Sequence, residues 1–161
     1  MRLEEWFSIY RKLKLNKDMG KIIDDDVWLA DLHLTELFDL SDVEVTRDFD
    51  CSANYLTNLI GAPKTVGGTF YCQNNSLTSL EGAPTTVGDN FWCNDNNLTS
   101  LSGGPTSVGM DYDCSGNQLT NIEGMPKRIY GNIYLPLSVK SLFSITYVRS
   151  LSEIKGMVLY I

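Results

Sequence analysis

Hydrophobic and polar positions along this chain keep a fixed order that returns every 21 residues from Cys51 onward. Phe49, Phe70, Phe91, Tyr112 and Ile133 each stand two residues before a position filled by Cys51, Cys72, Cys93 and Cys114. Alternation of this kind predicts a short strand with both marked side chains on one face. Three residues after each cysteine comes an asparagine (Asn54, Asn75, Asn96, Asn117), and then a pair of leucine-type positions, from Leu56 and Leu59 to Leu119 and Ile122. The phrase returns through Gly61, Gly82, Gly103 and Gly124, then Pro63, Pro84, Pro105 and Pro126, and re-enters the core at Val66, Val87, Val108 and Ile129. A unit this short cannot bury its own apolar side, so the copies must stack as a solenoid.

The glycine and proline offsets exclude a regular helix on the return side and predict an extended or polyproline-like path there. Strands are therefore expected at 48–51, 69–72, 90–93, 111–114 and 132–135, with helix confined mainly to about residues 2–14. That N-terminal segment places Leu3, Trp6, Phe7, Tyr10 and Leu13 at helical spacing with Glu4, Glu5, Arg11 and Lys12 opposite. A blurred earlier copy occupies 27–37, with Leu32 in the asparagine slot. After the repeats, residues 137–161 lose the asparagine and glycine marks and end in a β-prone run, Met157–Ile161, read as a degenerate turn and a closing strand. The expected organisation is one structural domain: a helical cap at 1–24, a solenoid at 25–136 and a C-terminal cap at 137–161.

The repeated phrase resembles the leucine-rich repeat signature, with cysteine in one leucine slot. Its short period and the NNLTSL…P return look most like the repeats of bacterial type III secretion effectors and of leucine-rich repeat proteins carried by tailed phages. The resemblance implies an α/β fold class: a leucine-rich repeat solenoid with a concave parallel β-sheet, an irregular or polyproline-like convex side, an N-terminal helical cap and a C-terminal β cap. It also implies a backbone-bonding ladder made by Asn54, Asn75, Asn96 and Asn117. The ubiquitin-ligase domain of those effectors does not carry over, because no cysteine follows the last clear repeat.

Charge narrows the partners. The chain carries a formal net charge of −7, and the stretch 24–50 holds ten acids against Arg47 alone. Nucleic-acid binding needs a basic track that neutralises phosphates, so it is not expected. A protein partner with a basic or mixed surface is favoured instead. No segment reads as a secretion signal or as long enough to span a bilayer, so no membrane association and a cytoplasmic location are expected.

Candidate chemistry is sparse. Four inward cysteines read as small core residues: side chains in register run parallel and cannot easily reach disulfide torsion, and a single-file column does not converge on a metal. The run Asp111 to Gly116 imitates the start of a calcium loop but lacks the glutamate at its twelfth position, which is Ile122. His33 is the single histidine, leaving little for acid–base catalysis. No cofactor, metal or catalytic set is expected, and an enzyme is the weakest class.

Outward positions vary where the framework does not. The column between the two inward strand positions reads Trp28, Asp50, Tyr71, Trp92, Asp113 and Tyr134. Two residues earlier in each turn stand Asp26, Asp48, Thr69, Asn90, Asp111 and Asn132, and just after the cysteines Ser52, Gln73, Asn94 and Ser115. Aromatics on an open sheet favour an interface, although β-propensity alone also supplies them. The expected partner-binding face comprises Trp28, Asp48, Asp50, Thr69, Tyr71, Asn90, Trp92, Asp111, Asp113, Asn132 and Tyr134. The expected role is a non-enzymatic protein-binding module, and the resemblance to repeat proteins of phages implies a phage-encoded inhibitor or modulator of a host defence or regulatory protein. The alternative is a structural or self-assembling component.

Overall fold

The structure is a computed structural model that describes residues 21–161. The amphipathic segment expected to be helical over about 2–14 lies outside those residues, as does most of the cap assigned to 1–24.

Every turn contributes one short strand to each of two sheets, and all pairings are parallel. One sheet runs β2 (Val27–Trp28), β4 (Phe49–Asp50), β6 (Phe70–Tyr71), β8 (Phe91–Trp92), β10 (Tyr112–Asp113), β12 (Ile133–Leu135), β14 (Val158–Tyr160). Those strands fall where the Phe-x-Cys alternation puts them. The other sheet runs β1 (Lys21–Ile23), β3 (Val43–Val45), β5 (Thr65–Val66), β7 (Thr86–Val87), β9 (Ser107–Val108), β11 (Arg128–Ile129), β13 (Glu153–Ile154). With seven strands in each sheet, the described residues form a parallel β-solenoid of seven turns.

The second sheet corrects the expected irregular return. Once the first sheet fixes the spacing between turns, the return segments lie at the same spacing, and their backbone groups must be paired wherever they are shielded from water. Lys64 donates its N–H to Val43 O at 2.8 Å and Gly67 to Val45 O at 2.8 Å, and the same bonds recur one turn on. Glycine and proline exclude a helix here but do not exclude two paired residues per turn.

The N-terminal end differs from expectation, and the C-terminal end keeps its expected closing strand but adds a helix. Lys21–Ile23, inside the stretch assigned to the N-terminal cap, is already a strand paired with Val43–Val45. At the other end the degenerate segment makes a complete last turn, with β13 and β14 joining separate sheets. It contains a 3-10 turn at Leu137–Val139 and a helix, α1 (Ile145–Leu151), which the β-prone reading of this tail did not foresee. Ser144 caps α1 by accepting the Tyr147 N–H at 3.2 Å, Val148 is buried, and Arg149 ties the helix to the Ile154 carbonyl at 2.7 Å. Capping and one buried contact outweigh the β-branched composition of this short helix.

The core is a set of columns. Phe49, Phe70, Phe91 and Tyr112 stack ring on ring with centroids 5.4, 5.4 and 5.3 Å apart and planes within 9° of parallel. The cysteines, the leucine pairs and the valines of the second sheet form parallel columns beside them, all buried. Each buried leucine contributes about 2 kcal/mol of hydrophobic stabilisation. At the corner between the sheets the central turns approach so closely that a Cβ on Gly88 would overlap the Gly67 carbonyl, and one on Gly109 the Gly88 carbonyl, whereas the same position carries Thr46 and Tyr130 in turns nearer the ends.

Candidate functional site

Two side-chain ladders run along the solenoid in opposite directions, one from Asn54 to Asn117 and the other on to the last turn. Asn96 shows the first. Its Nδ2 donates to Cys72 O at 3.0 Å, Cys93 O at 3.1 Å and Asn94 O at 3.2 Å, while its Oδ1 accepts the Leu77 N–H at 3.0 Å. Asn54, Asn75 and Asn117 repeat the pattern, each reaching back to the preceding turn. The corner before each ladder asparagine is tight, and Ala53, Asn74 and Asp95 hold it with positive φ.

The second ladder occupies a column that the sequence assigned to the binding face. Asp48 Oδ1 accepts the Thr69 N–H at 2.7 Å, Asn90 Oδ1 the Asp111 N–H at 3.1 Å, Asp111 Oδ1 the Asn132 N–H at 2.7 Å, and Asn132 Oδ1 the Met157 N–H at 2.8 Å. Thr69 is buried and receives the Asn90 amide at 3.3 Å. These oxygens therefore secure the following turn, and Thr69, expected on the open face, is not exposed there. The signal was present in the sequence: Asp26, Asp48, Thr69, Asn90, Asp111 and Asn132 are all short and all carry a side-chain oxygen.

The column that stays open is the central one. Trp28, Asp50, Tyr71, Trp92, Asp113 and Tyr134 stand opposite one another in register across β2 to β12, and Leu159 extends the row on β14. Trp28 is exposed and the others are half-buried. The Trp92 and Tyr134 rings, two turns apart, lean over Asp113 until their centroids lie 6.5 Å apart. Asp113 Oδ1 accepts both the N–H and the hydroxyl of Ser115, at 2.9 and 2.6 Å, and Asp50 holds Ser52 in the same way at 2.8 and 2.6 Å. Burial beneath the rings raises the Asp113 carboxyl above the usual range, against the pull of the Ser115 bonds, and nearby Asp95 and Asp111 push in the same direction as burial.

The cysteines sit beneath this face, reduced and buried. Their thiols donate to the carbonyls of the next turn, Cys51 to Tyr71 O at 3.3 Å and Cys93 to Asp113 O at 3.2 Å, a bond the sequence did not suggest. Burial drives all four thiols well above their ordinary range, so the inert form dominates. Among the described residues no three His, Cys, Asp or Glu side chains could together hold a metal ion, and no helix is long and apolar enough to cross a membrane. Depressions lined by Phe143 and Tyr160 and by Thr65 and Thr86 lie at the last turn and on the second sheet, away from the central aromatics.

Fold and face together define the class, a parallel β-solenoid with one aromatic, acid-bearing sheet surface. The chain matches no family model, no curated protein and no solved structure.

Proposed function

We propose that the protein is a non-enzymatic binding module that grips a protein partner through the Trp28 to Tyr134 column. The observation that carries this reading is the in-register row of large aromatics left open beside a column, Asp48 to Asn132, that is engaged in holding the turns together. Such side chains are costly to leave wet and dominate binding energy when covered. The resemblance of the repeats to leucine-rich repeats of phage proteins and secreted effectors extends the proposal: inhibition or retargeting of a host defence or regulatory protein in the host cytoplasm. No ligase activity is included.

Affinity capture from host lysate, followed by binding kinetics on variants, tests the proposal. Trp92→Ala is expected to weaken the complex by about 2 kcal/mol or more, and Asp111→Asn with Asp113→Asn to slow association chiefly. Full affinity with Tyr71 and Trp92 both truncated would place the working surface elsewhere.

A second reading, a self-assembling component, is favoured by one feature. The last turn leaves Leu142, Ile145, Leu151, Met157 and Ile161 exposed around the open edge strand β14. Unpaired edges with apolar surroundings invite pairing. Concentration-dependent growth in sedimentation that is abolished by Met157→Lys would support this reading over the first.

A further inference from the structure

The outward column is periodic at a longer interval than the turn. Read along the axis it runs Trp28, Asp50, Tyr71 and then Trp92, Asp113, Tyr134. The segments beneath recur with it: Asp48-Phe49-Asp50-Cys51-Ser52 returns three turns later as Asp111-Tyr112-Asp113-Cys114-Ser115. Each copy fixes its carboxylate identically, with Oδ1 held by the serine two residues on and Oδ2 taking no hydrogen bond from the described residues. The result is the same order twice, one oriented carboxylate with a tryptophan on one neighbouring strand and a tyrosine on the other, with the rings drawn together over the carboxylate in the second set.

An anion between aromatic faces suits a cation with an apolar stem, since the carboxylate supplies the charge and the rings supply cation–π attraction and cover the methylenes. The surroundings agree in sign. The three outward columns hold Asp26, Asp48, Asp50, Asp111 and Asp113 and no lysine or arginine, so neither carboxylate finds its counter-ion on this face. The described ion pairs, Lys21 with Asp42 and Glu153 with Arg128 and Lys155, involve none of these aspartates.

We propose, resting on the protein-binding reading above, that Asp50 and Asp113 are two matched receptors for the side chains of one extended, basic segment of a partner, taking Lys or Arg at positions i and i+4. The spacing selects the conformation. Three strand steps separate the carboxylates by about 14 Å. An extended chain advances about 3.3 Å per residue, so four residues span about 13 Å and return to the same side of the strand. An α-helix needs about nine residues for the same distance, and that places its two side chains on opposite faces. The segment would lie along the solenoid axis, across the strands, so its side chains and not its backbone make the contact.

Full-length protein titrated at low ionic strength with capped, threonine-based nonapeptides tests this directly, with heteronuclear NMR following the indole N–H signals. Two arginines at i and i+4 are expected to bind at least about tenfold tighter than one arginine or two at i and i+3, through the gain of a tethered second contact. Trp28 and Trp92 signals should both move. Asp50→Asn and Asp113→Asn, which keep shape and the serine bonds, should each reduce the i, i+4 peptide to the single-arginine level. Equal binding at both spacings, indifference to both substitutions, or no binding of any peptide overturns the proposal. Binding that ignores spacing yet is lost with Tyr71→Ala and Trp92→Ala sinks the paired receptors and leaves the face reading intact. Natural-partner binding that survives those two truncations sinks the face reading itself.

Discussion

The hydroxyl of Tyr112 lies against Gly104, at ordinary contact distance from where a Cβ would stand. The neighbouring turns carry Ala83 and Met125 at this position, and a Cβ built on Gly104 would come within 3.7 Å of the Tyr112 oxygen but press closer on Leu101 O at 3.1 Å and Leu80 Cδ1 at 3.0 Å. The hydroxyl lies beside the Cys93 thiol but makes no hydrogen bond of ordinary geometry. A tyrosine thus ends a phenylalanine stack with its polar atom buried and unpartnered. Tyr112→Phe should raise stability by about 1 kcal/mol, because an orphaned buried donor is removed and the ring stack is kept. Gly104→Ala should lower it. Thermal melting of the two variants checks the pair, and a lower midpoint for Tyr112→Phe would mean that the hydroxyl has a partner.

Asn96 makes three donor contacts and one acceptor contact in the middle of the stack. Replacing it by alanine leaves buried carbonyls and the Leu77 N–H without partners, at a cost of about 1–3 kcal/mol. Chemical denaturation should report that loss; an unchanged midpoint would show that water replaces the amide.

Gly88→Ala should be worse than an ordinary core overpacking, costing about 3 kcal/mol or more, because the new methyl meets the Gly67 backbone carbonyl and not a movable side chain. Soluble expression with a near-native melting temperature would contradict the close approach of the corner backbones.

The thiols should be silent until the protein unfolds. Burial raises each well above its usual titration range, so the native protein is expected to react slowly with an alkylating reagent near neutral pH, and all four should label in denaturant. Mass spectrometry counts the adducts. Two or more rapid native modifications would reverse the inward assignment of the column.

Asp113 should make the fold more stable on mild acidification. Its folded carboxyl titrates above its unfolded one, so the folded state holds the proton more tightly, and stability from this group is fully present below the unfolded value and declines as pH rises through the folded one. Asp113→Asn keeps an oxygen for Ser115 and removes that penalty, so its melting temperature at neutral pH should exceed that of the parent, and the gap should close below the ordinary carboxylate range. A gap independent of pH would assign the difference to packing.

The inward architecture was legible because each framework position demands one property in every turn. Phe49 to Tyr112 and Cys51 to Cys114 must be apolar and of nearly constant volume, so repetition marks them. The second sheet was not legible: its strands are two or three residues long, and Thr65-Val66 does not differ in composition from an extended return. The face was read only in part. Outward direction follows from alternation, but whether an outward oxygen bonds the next turn depends on corner geometry, which decides that Asp111 holds Asn132 while Asp113 turns to its own Ser115. Helix α1 was missed because Ser144 and one buried valine set it, not a long amphipathic period.

The two opposed ladders make the solenoid a device for carrying tension. A pull along its axis loads asparagine amides that reach back from the following turn and corner oxygens that reach forward from the preceding one, so force across the turns spanned by Asn54 to Asn117 is shared between two independent rows. Among these doubly held junctions, the one between Thr69 and Asn90 has the weakest corner row. There the corner row is reduced to an amide on a hydroxyl at 3.3 Å in place of a backbone N–H on a side-chain oxygen. Within the doubly laddered stretch, mechanical failure should begin at that seam, which lies under Tyr71 and Trp92 and divides the two Trp-Asp-Tyr sets from each other.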